Sequence, residues 1–303
     1  MSETPDGPQI PWPGVAAPFT LVPPGLQAMA VSAFFFSLMA ALAKLVGRTV
    51  PLFEIVLARS VVVGILSGLK LLRDGTGFRG TEPRLLVLRG VLGFAALSCY
   101  YYAVVRLPLA DATVIHFMNP VFTAFMAAVV LGEHLGLLEA LLVGASLVGV
   151  VVVARPPFLF GGGGLAPVPV LVALCGAVLA AGAYVAVRRL RGEPPMLIVF
   201  YFAVVSTLLS APMVALHSTL PDLPTLLLLL GVGMTTYLGQ TFVTWGFRLE
   251  RAGRASAVGY LQIVFAAGWG WLLFAEAPDL WTGVGAALIV GSTLLLVRLH
   301  PVR

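Results

Sequence analysis

Residues 51–67, PLFEIVLARSVVVGILS, return 143 residues later as PPMLIVFYFAVVSTLLS at residues 194–210. The two segments share an initial proline, an Ile-Val pair, a Val-Val pair and a final serine. The same shift places Glu133 on Glu276 and brings Tyr102 into register with Trp245, and no gap is needed between these positions. The chain is therefore an internal duplication.

The composition places the two copies in a membrane. Of the 303 residues, 59% are hydrophobic and 10% are charged, with a mean hydropathy of +1.01, whereas soluble domains carry roughly 25% charged residues. Apolar runs long enough to cross a hydrocarbon core of about 30 Å recur along the chain. They span approximately residues 26–46, 53–72, 85–105, 111–131, 137–154, 169–187, 196–216, 224–247, 255–274 and 280–297. The pattern predicts an all-α integral membrane protein of ten transmembrane helices.

The duplication predicts how these helices are arranged. An odd number of spans in each copy forces the two copies into opposite orientations, which is the inverted-repeat plan of many secondary transporters. We predict a five-helix repeat at residues 25–155, a Gly/Pro linker at 156–168 and a second repeat at 169–300. A proline-rich segment without Lys or Arg, residues 1–24, is expected to be a mobile tail. A substrate should bind near the midplane, between the repeats.

The basic residues orient the chain. If the N-terminus lies in the cytoplasm, 13 of the 18 Lys and Arg residues fall on the cytoplasmic side, in agreement with the positive-inside rule. Both termini are therefore predicted to be cytoplasmic, and the compact loops favour a bacterial inner (plasma) membrane. The net charge of +5 reflects this topology, so no nucleic-acid partner is expected. Cys99 and Cys175 lie inside spans with no metal-site spacing, and no metal or cofactor is expected.

Several segments of the first repeat resemble the EamA group of the drug/metabolite transporter superfamily. They are residues 54–59, 89–90, 102–103, 107–112, 119–120 and 131–133. The second repeat departs from the pattern where Ala275 precedes Glu276 in place of glycine, and where Ile263 stands opposite Pro120. The resemblance implies a basket of ten helices, in which the first four of each repeat line a central cavity and the fifth lies at the periphery. Members of the group move amino acids, sugars, nucleotide derivatives, organic anions and drugs, so the resemblance leaves the substrate open.

Polar side chains inside the spans are the candidate substrate ligands. A polar group in hydrocarbon costs a few kcal/mol unless it faces protein, water or substrate. Asn119 and Gln262 are equivalent under the repeat and lie near the midplane, so both should face one cavity from opposite repeats. His116 and Thr123 share the helix face of Asn119, and His116 is suited to carrying a proton. An interhelical hydrogen bond without a ligand role is the alternative for each residue.

Two further helices present candidate ligands. The third span carries Arg89, Gly93, Ala96 and Tyr100 along one face. The eighth span carries a polar stripe of Tyr237, Gln240, Thr241 and Thr244, with Trp245 beside it. Tyr260, near the start of the ninth span, is expected to add to the inner mouth. Such a regular stripe in a membrane helix is typical of a face towards water or substrate, although polar packing between helices is the alternative.

The charged candidates are arginines. Arg59 lies about six residues, or roughly 9 Å, inside the second span. It either binds an anionic group of the substrate or pairs with Glu54 or a helix-end carbonyl. Arg89 either faces the cavity or extends to the membrane interface. Lys44 is expected to add to an electropositive outer vestibule, and Glu276 is interpreted as structural.

These residues predict a transporter rather than an enzyme. The sequence has no G-x-x-x-x-G-K-[ST] motif to drive a pump, and no H-E-x-x-H, G-x-S-x-G or paired aspartates in a span. We expect a monomer or weak homodimer that moves a small polar metabolite, such as an amino acid, by alternating access as an exporter, uniporter or exchanger. The alternative substrate is a carboxylate or nucleotide-like anion bound by Arg59 and Arg89. The two hypotheses are distinguished by whether these arginines are open to the cavity or bridged to other residues. An intramembrane enzyme and a channel are remote alternatives.

Overall fold

The computed structural model describes residues 23–119, 121, 122, 126, 137–154, 164–190, 192–215, 221–249 and 258–299. In this part of the chain the regular structure is helical throughout, with no strand. The helices are α1 (Pro24–Val46), α2 (Leu52–Arg73), α3 (Pro83–Arg106), α4 (Leu109–His116), α5 (Leu137–Ala154), α6 (Pro167–Arg189), α7 (Pro195–Ala215), α8 (Leu223–Leu249), α9 (Leu261–Phe274) and α10 (Leu280–Leu299). Most of the predicted tail and of the predicted linker lies outside the described residues.

Helix lengths and starts follow from the sequence. Among the described residues, six helices are long and apolar enough to cross a membrane, namely α1, α2, α3, α6, α7 and α8. α1, α3 and α6 each begin with proline in the first turn, where the missing N–H removes no helical hydrogen bond. On α2, Ile65, Leu69 and Leu72 are 57–62% exposed along one face. In a membrane this face contacts lipid.

The helices pack in a pattern that respects the duplication. α1 packs on α8, and the equivalent pair is α6 on α3. α2 packs on α7, α4 on α9 and α5 on α10, so each of these helices contacts its own repeat equivalent. Contacts between equivalent helices require a pseudo-two-fold axis between the repeats. The predicted fold of two inverted five-helix repeats is confirmed.

The fourth and ninth spans are interrupted, although the sequence predicts continuous helices over 111–131 and 255–274. α4 ends at His116, and residues 117 and 118 form a turn before helical backbone resumes at residue 119. In the ninth span residues 258 and 259 are helical, residue 260 is a turn and α9 begins at Leu261. Residues 117 and 260 are equivalent under the repeat, so both halves break at the same point.

One buried carboxylate joins two connections at one end of the bundle. Glu193, between α6 and α7, accepts hydrogen bonds from the backbone N–H groups of Thr81 and Glu82 at 2.5 and 3.0 Å. It also accepts one from the Thr81 hydroxyl at 2.6 Å. The Thr81 hydroxyl, together with the two N–H groups, holds the pKa of Glu193 below its usual range and outweighs the opposing effect of burial. These bonds link the first repeat to the second.

Replacing Glu193 with Gln is expected to lower the free energy of unfolding at pH 7 by about 1 kcal/mol, because Gln keeps an acceptor but loses the charge. A carboxylate whose pKa is lowered by folding stabilises the protein above its unfolded pKa of about 4.3. That stabilisation is lost as the pH falls through the folded pKa. Thermal unfolding in detergent should therefore show a difference at pH 7 that shrinks below about pH 4. Glu82→Gln, at an exposed side chain, is the matched control, and a pH-independent difference would contradict the prediction.

Candidate functional site

Two contacts between repeat-equivalent residues mark the pseudo-two-fold axis. Phe117 and Tyr260, at the two helix breaks, have ring centroids 5.2 Å apart. Arg59 and Phe202 are also equivalent, and Arg59 Cζ lies 5.1 Å from the Phe202 ring centroid. A residue can contact its own equivalent only close to the axis. The axis therefore passes between α2 and α7 and between the fourth and ninth spans. A cluster of polar side chains lies at each of these two places.

The carboxamide cluster, formed by Tyr100, His116, Asn119 and Gln262, surrounds the two helix breaks. The Tyr100 ring lies over His116 with centroids 4.4 Å apart. Its hydroxyl faces the side chains of Thr113 and Gln262 but forms no hydrogen bond within the described residues. Asn119 and Gln262 are buried, at 8% and 9% exposure. The structure thus brings these four predicted ligands together, and their mixed donors and acceptors suit a neutral polar group.

Asn119 also repairs the backbone of its own helix. Its Nδ2 donates a hydrogen bond to the His116 carbonyl at 2.9 Å. In a continuous helix that carbonyl accepts from the N–H of residue 120, and Pro120 has none. The Asn119 side chain replaces the missing bond. Part of its hydrogen-bonding capacity is therefore used inside the fourth span.

The arginine cluster, formed by Arg59, Arg89 and Phe202, places two cations against one ring. Arg59 Cζ lies 5.1 Å and Arg89 Cζ 4.3 Å from the Phe202 ring centroid. Arg59 is 3% exposed, and Arg89 Nε and Nη1 are buried with no hydrogen-bond partner in the described chain. No described carboxylate forms a salt bridge with either arginine. Arg59 therefore does not pair with Glu54, and Arg89 points at Phe202 rather than at the interface.

Hydroxyl groups line the rest of the arginine cluster. Arg59 Nε donates a hydrogen bond to Thr236 Oγ1 at 3.2 Å. The Tyr101 hydroxyl lies near Arg59 and is buried without a hydrogen-bond partner among the described residues. The Tyr184 hydroxyl lies near Arg89. Guanidinium groups with unused N–H donors and no opposing carboxylate bind anions, with charge-assisted and often bidentate hydrogen bonds.

The predicted stripe on α8 is half-buried along its length. Its members are Tyr237, Gln240, Thr241, Thr244 and Trp245. Tyr237 packs on the apolar contact between α2 and α7, beside the arginine cluster. The hydroxyls of Thr241 and Thr244 donate to carbonyls of α8 itself, at 2.9 and 2.8 Å. The two threonines can therefore offer a ligand only an acceptor. Thr123, also a predicted ligand, lies outside the described residues.

A buried ion pair ties the end of α1 to the end of α9. Lys44 Nζ donates to Glu276 Oε1 and Oε2 at 2.6 and 2.7 Å and to the Leu107 carbonyl at 2.6 Å. The Leu109 N–H donates to Glu276 Oε2 at 3.0 Å. Lys44 is only 4% exposed and is fully engaged by these partners. The prediction that Lys44 adds to an electropositive vestibule is wrong, and the structural role predicted for Glu276 is confirmed.

A cavity of about 230 Å³ lies beside this ion pair, between the start of α4 and the connection from α9 to α10. At its wall the Thr282 hydroxyl bonds to Asp111 Oδ1 at 2.5 Å, which ties α10 to α4. The lining residues belong to helix ends and connections rather than to either polar cluster. We do not place the substrate in this cavity.

Comparison with known proteins identifies the family. The sequence matches the EamA-like transporter family over residues 23–155 and again over residues 168–298. The chain belongs to this family. The pseudopaline exporter CntI of Pseudomonas aeruginosa (strain UCBPP-PA14) is 36% identical over 280 residues, which cover 92% of this chain and 97% of CntI. Human solute carrier family 35 member G1 is 32% identical over 304 residues, covering 94% and 80% of the two chains.

A solved crystal structure has the same fold as this EamA-like transporter. The TM-score is 0.61 at 24% identity, and the match covers 91% of this chain and 99% of the other. Together with the family match, the fold defines a multi-pass membrane protein that transports a small molecule and is not an enzyme.

Four residues in or beside the arginine cluster of the EamA-like transporter were not predicted as ligands from the sequence. They are Tyr101, Tyr184, Phe202 and Thr236. Phe202 could have been found, because the shift that aligns residues 51–67 with 194–210 places it opposite Arg59. Tyr184 gave no comparable signal, since a single tyrosine in an apolar span is also typical of a membrane interface.

Proposed function

We propose that this EamA-like transporter is a secondary carrier of a small organic anion, which it moves by alternating access. The observation that carries the proposal is the arginine cluster, where Arg59 and Arg89 share one ring and meet no carboxylate among the described residues. The sequence favoured an amino acid and kept the anion as the alternative. The unbridged arginines reverse that preference.

The charge of the cluster distinguishes the substrate classes. Two buried guanidinium groups carry a formal charge of about +2, since arginine stays protonated in proteins. A zwitterionic amino acid would leave that charge uncompensated, whereas an anion with one or two carboxylates would offset it. Buried charges in proteins are generally paired, and unpaired ones inside a membrane mark substrate or ion pathways.

The two clusters suggest how such an anion would lie. Tyr100 and Tyr101 join them, with ring centroids 6.1 Å apart. A carboxylate would bind at the arginine cluster, while a neutral polar part would reach Tyr100 and Gln262. Both clusters lie on the axis between the repeats, so rocking of the repeats would open them to one side and then the other.

The direction and location of transport are part of the proposal. The positive-inside bias favours cytoplasmic termini, and the compact loops favour a bacterial plasma membrane. The relative CntI is an exporter, which favours outward movement of the metabolite. A monomer is sufficient for this mechanism, because the axis and both clusters lie within one chain.

An amino-acid carrier is the second candidate, and the carboxamide cluster favours it. Gln262, Asn119 and the Tyr100 hydroxyl can bind an ammonium or hydroxyl group without any net charge. In that case Arg59 would hold the α-carboxylate, and a zwitterion would bind as well as an anion.

The melting temperature of the detergent-purified protein should rise with succinate and other organic anions, since a ligand bound only by the folded state stabilises it. Sugars and zwitterionic amino acids should have no effect at matched ionic strength. Arg59→Gln should weaken anion binding at least about 10-fold, which corresponds to about 1.4 kcal/mol. Arg79→Gln, at an exposed connection, is the control. A shift caused by zwitterionic amino acids and retained in Arg59→Gln would overturn the anion assignment.

A further inference from the structure

The two arginines give the site a positive charge that no described carboxylate balances. In the described residues only two ion pairs form, Lys44–Glu276 and Lys70–Asp74, and neither involves the arginine cluster. The guanidinium of Arg59 meets a ring and a threonine hydroxyl. The guanidinium of Arg89 meets the same ring, with two of its nitrogens buried and unpartnered in this part of the chain.

This charge makes the empty carrier slow to change sides. Alternating access passes through a state that is closed at both ends, and in that state water cannot solvate the arginines. Removing an ion from water costs several kcal/mol even after the protein relaxes, and two like charges against one ring repel each other. Each 1.4 kcal/mol of this cost slows the step about tenfold. A bound anion offsets the cost, so the loaded carrier crosses readily.

We infer that the protein is an obligate exchanger. After one anion is released, the binding site turns back to the first side of the membrane only when an organic anion from the opposite side occupies Arg59 and Arg89. This inference rests on the anionic substrate proposed above. It also specifies the second substrate, which must carry a carboxylate or a similar anionic group able to bind two guanidiniums.

The repeat indicates that the two anions use one site in turn. The equivalents of Arg59 and Arg89 under the 143-residue shift are Phe202 and Val232, and both are apolar. The second repeat therefore supplies the ring and Thr236, but no second pair of cations at the equivalent positions. Exchange through a single site follows ping-pong kinetics, with one anion leaving before the next one binds.

Efflux from proteoliposomes tests the inference. The purified protein is reconstituted with labelled succinate inside, and efflux is measured into medium with or without external succinate. Potassium and valinomycin on both sides clamp the membrane potential, because net movement of an anion would otherwise stop itself. We expect efflux to be at least about 10-fold faster with external succinate, the effect of about 1.4 kcal/mol on the return step.

Variants separate exchange from simple binding. Arg89→Gln should reduce the ratio of exchange to net efflux towards one, because it removes half of the unbalanced charge, whereas a merely structural defect would slow both fluxes equally. Arg79→Gln should keep the wild-type ratio. Fast efflux into anion-free medium, equal efflux driven by chloride, or an unchanged ratio in Arg89→Gln would overturn obligate exchange while leaving anion transport intact. The absence of both flux and thermal shift with every anion tested would overturn the proposed function itself.

Discussion

Replacing Lys44 with Met should lower the free energy of unfolding by about 3 kcal/mol, because it leaves the Glu276 carboxylate without its cation in a largely buried setting. The expected loss lies at the low end for a broken buried pair, since the Glu276 side chain is 26% exposed and still accepts a hydrogen bond from Leu109. Thermal or denaturant unfolding of the detergent-purified protein measures the change.

A second ion pair supplies the matched control for this prediction. Lys70 and Asp74 are also 2.7 Å apart, but their side chains are 45% and 41% exposed. Lys70→Met should change the stability by less than about 0.5 kcal/mol, as is usual for exposed helical pairs. Adding Glu276→Gln to Lys44→Met should recover part of the loss, because it removes the unpaired charge. Equal effects of Lys44→Met and Lys70→Met would show that burial does not strengthen the first pair.

Replacing Arg89 with Met should have the opposite effect on stability and should weaken anion binding without abolishing it. Removal of a guanidinium with two buried, unpartnered nitrogens should raise the free energy of unfolding of the ligand-free protein by about 1–2 kcal/mol. Met has a similar length and can pack its sulfur on the Phe202 ring, which compensates in part for the lost cation–π contact. The melting temperature should then respond to succinate only at concentrations at least about 10-fold higher, because one guanidinium of the pair remains.

Arg79→Met is the control for Arg89→Met, because Arg79 is exposed between α2 and α3. It should stay within about 0.5 kcal/mol of the parent protein and keep the thermal response to succinate. A loss of more than about 1 kcal/mol in ligand-free Arg89→Met would mean that the guanidinium stabilises the fold. In that case it would not be held in reserve for a ligand.

The opposite signs expected for Lys44 and Arg89 reflect a trade between stability and function. Both are basic residues in buried surroundings, and both contact an aromatic ring, Lys44 through Phe274 and Arg89 through Phe202. The difference is the carboxylate. Lys44 is paired with Glu276, whereas Arg89 meets no carboxylate among the described residues, as is expected of a site that binds an anion.

The helix breaks show how far a local sequence signal reaches. Pro120 removes the N–H that would bond to the His116 carbonyl, so a break near residue 117 could have been predicted. Residue 263, the equivalent of Pro120, is isoleucine, yet the ninth span also turns at residue 260. The ring contact of Tyr260 with Phe117 couples the two breaks, and no local pattern encodes that contact.

The conformation of Ala275 shows a second departure from the local pattern. The residue adopts a positive φ of 57° at the end of α9, in the left-handed region that glycine enters without strain. The first repeat has glycine before Glu133, as the resemblance implies, whereas the second has alanine. The backbone is held there by the hydrogen bond from the Glu276 N–H to the Gly270 carbonyl at 3.0 Å.

The sequence by itself determined the membrane environment, the ten spans and the duplication. The length of an apolar run and the spacing of a repeat are both read directly from the order of the residues. The equivalent helices α1 and α6 accordingly begin 143 residues apart and end 143 residues apart. It also selected the residues of both polar clusters, apart from Phe202 and the surrounding hydroxyl groups.

Only the tertiary structure decided which of these polar residues are engaged and which are available. Lys44 meets Glu276 across 232 residues of sequence, Arg59 meets Thr236 across 177, and Arg89 meets no described carboxylate. The helical period fixes the face on which a residue lies. The partner opposite that face depends on how distant helices rotate and pack around the pseudo-two-fold axis, which no single stretch of sequence specifies.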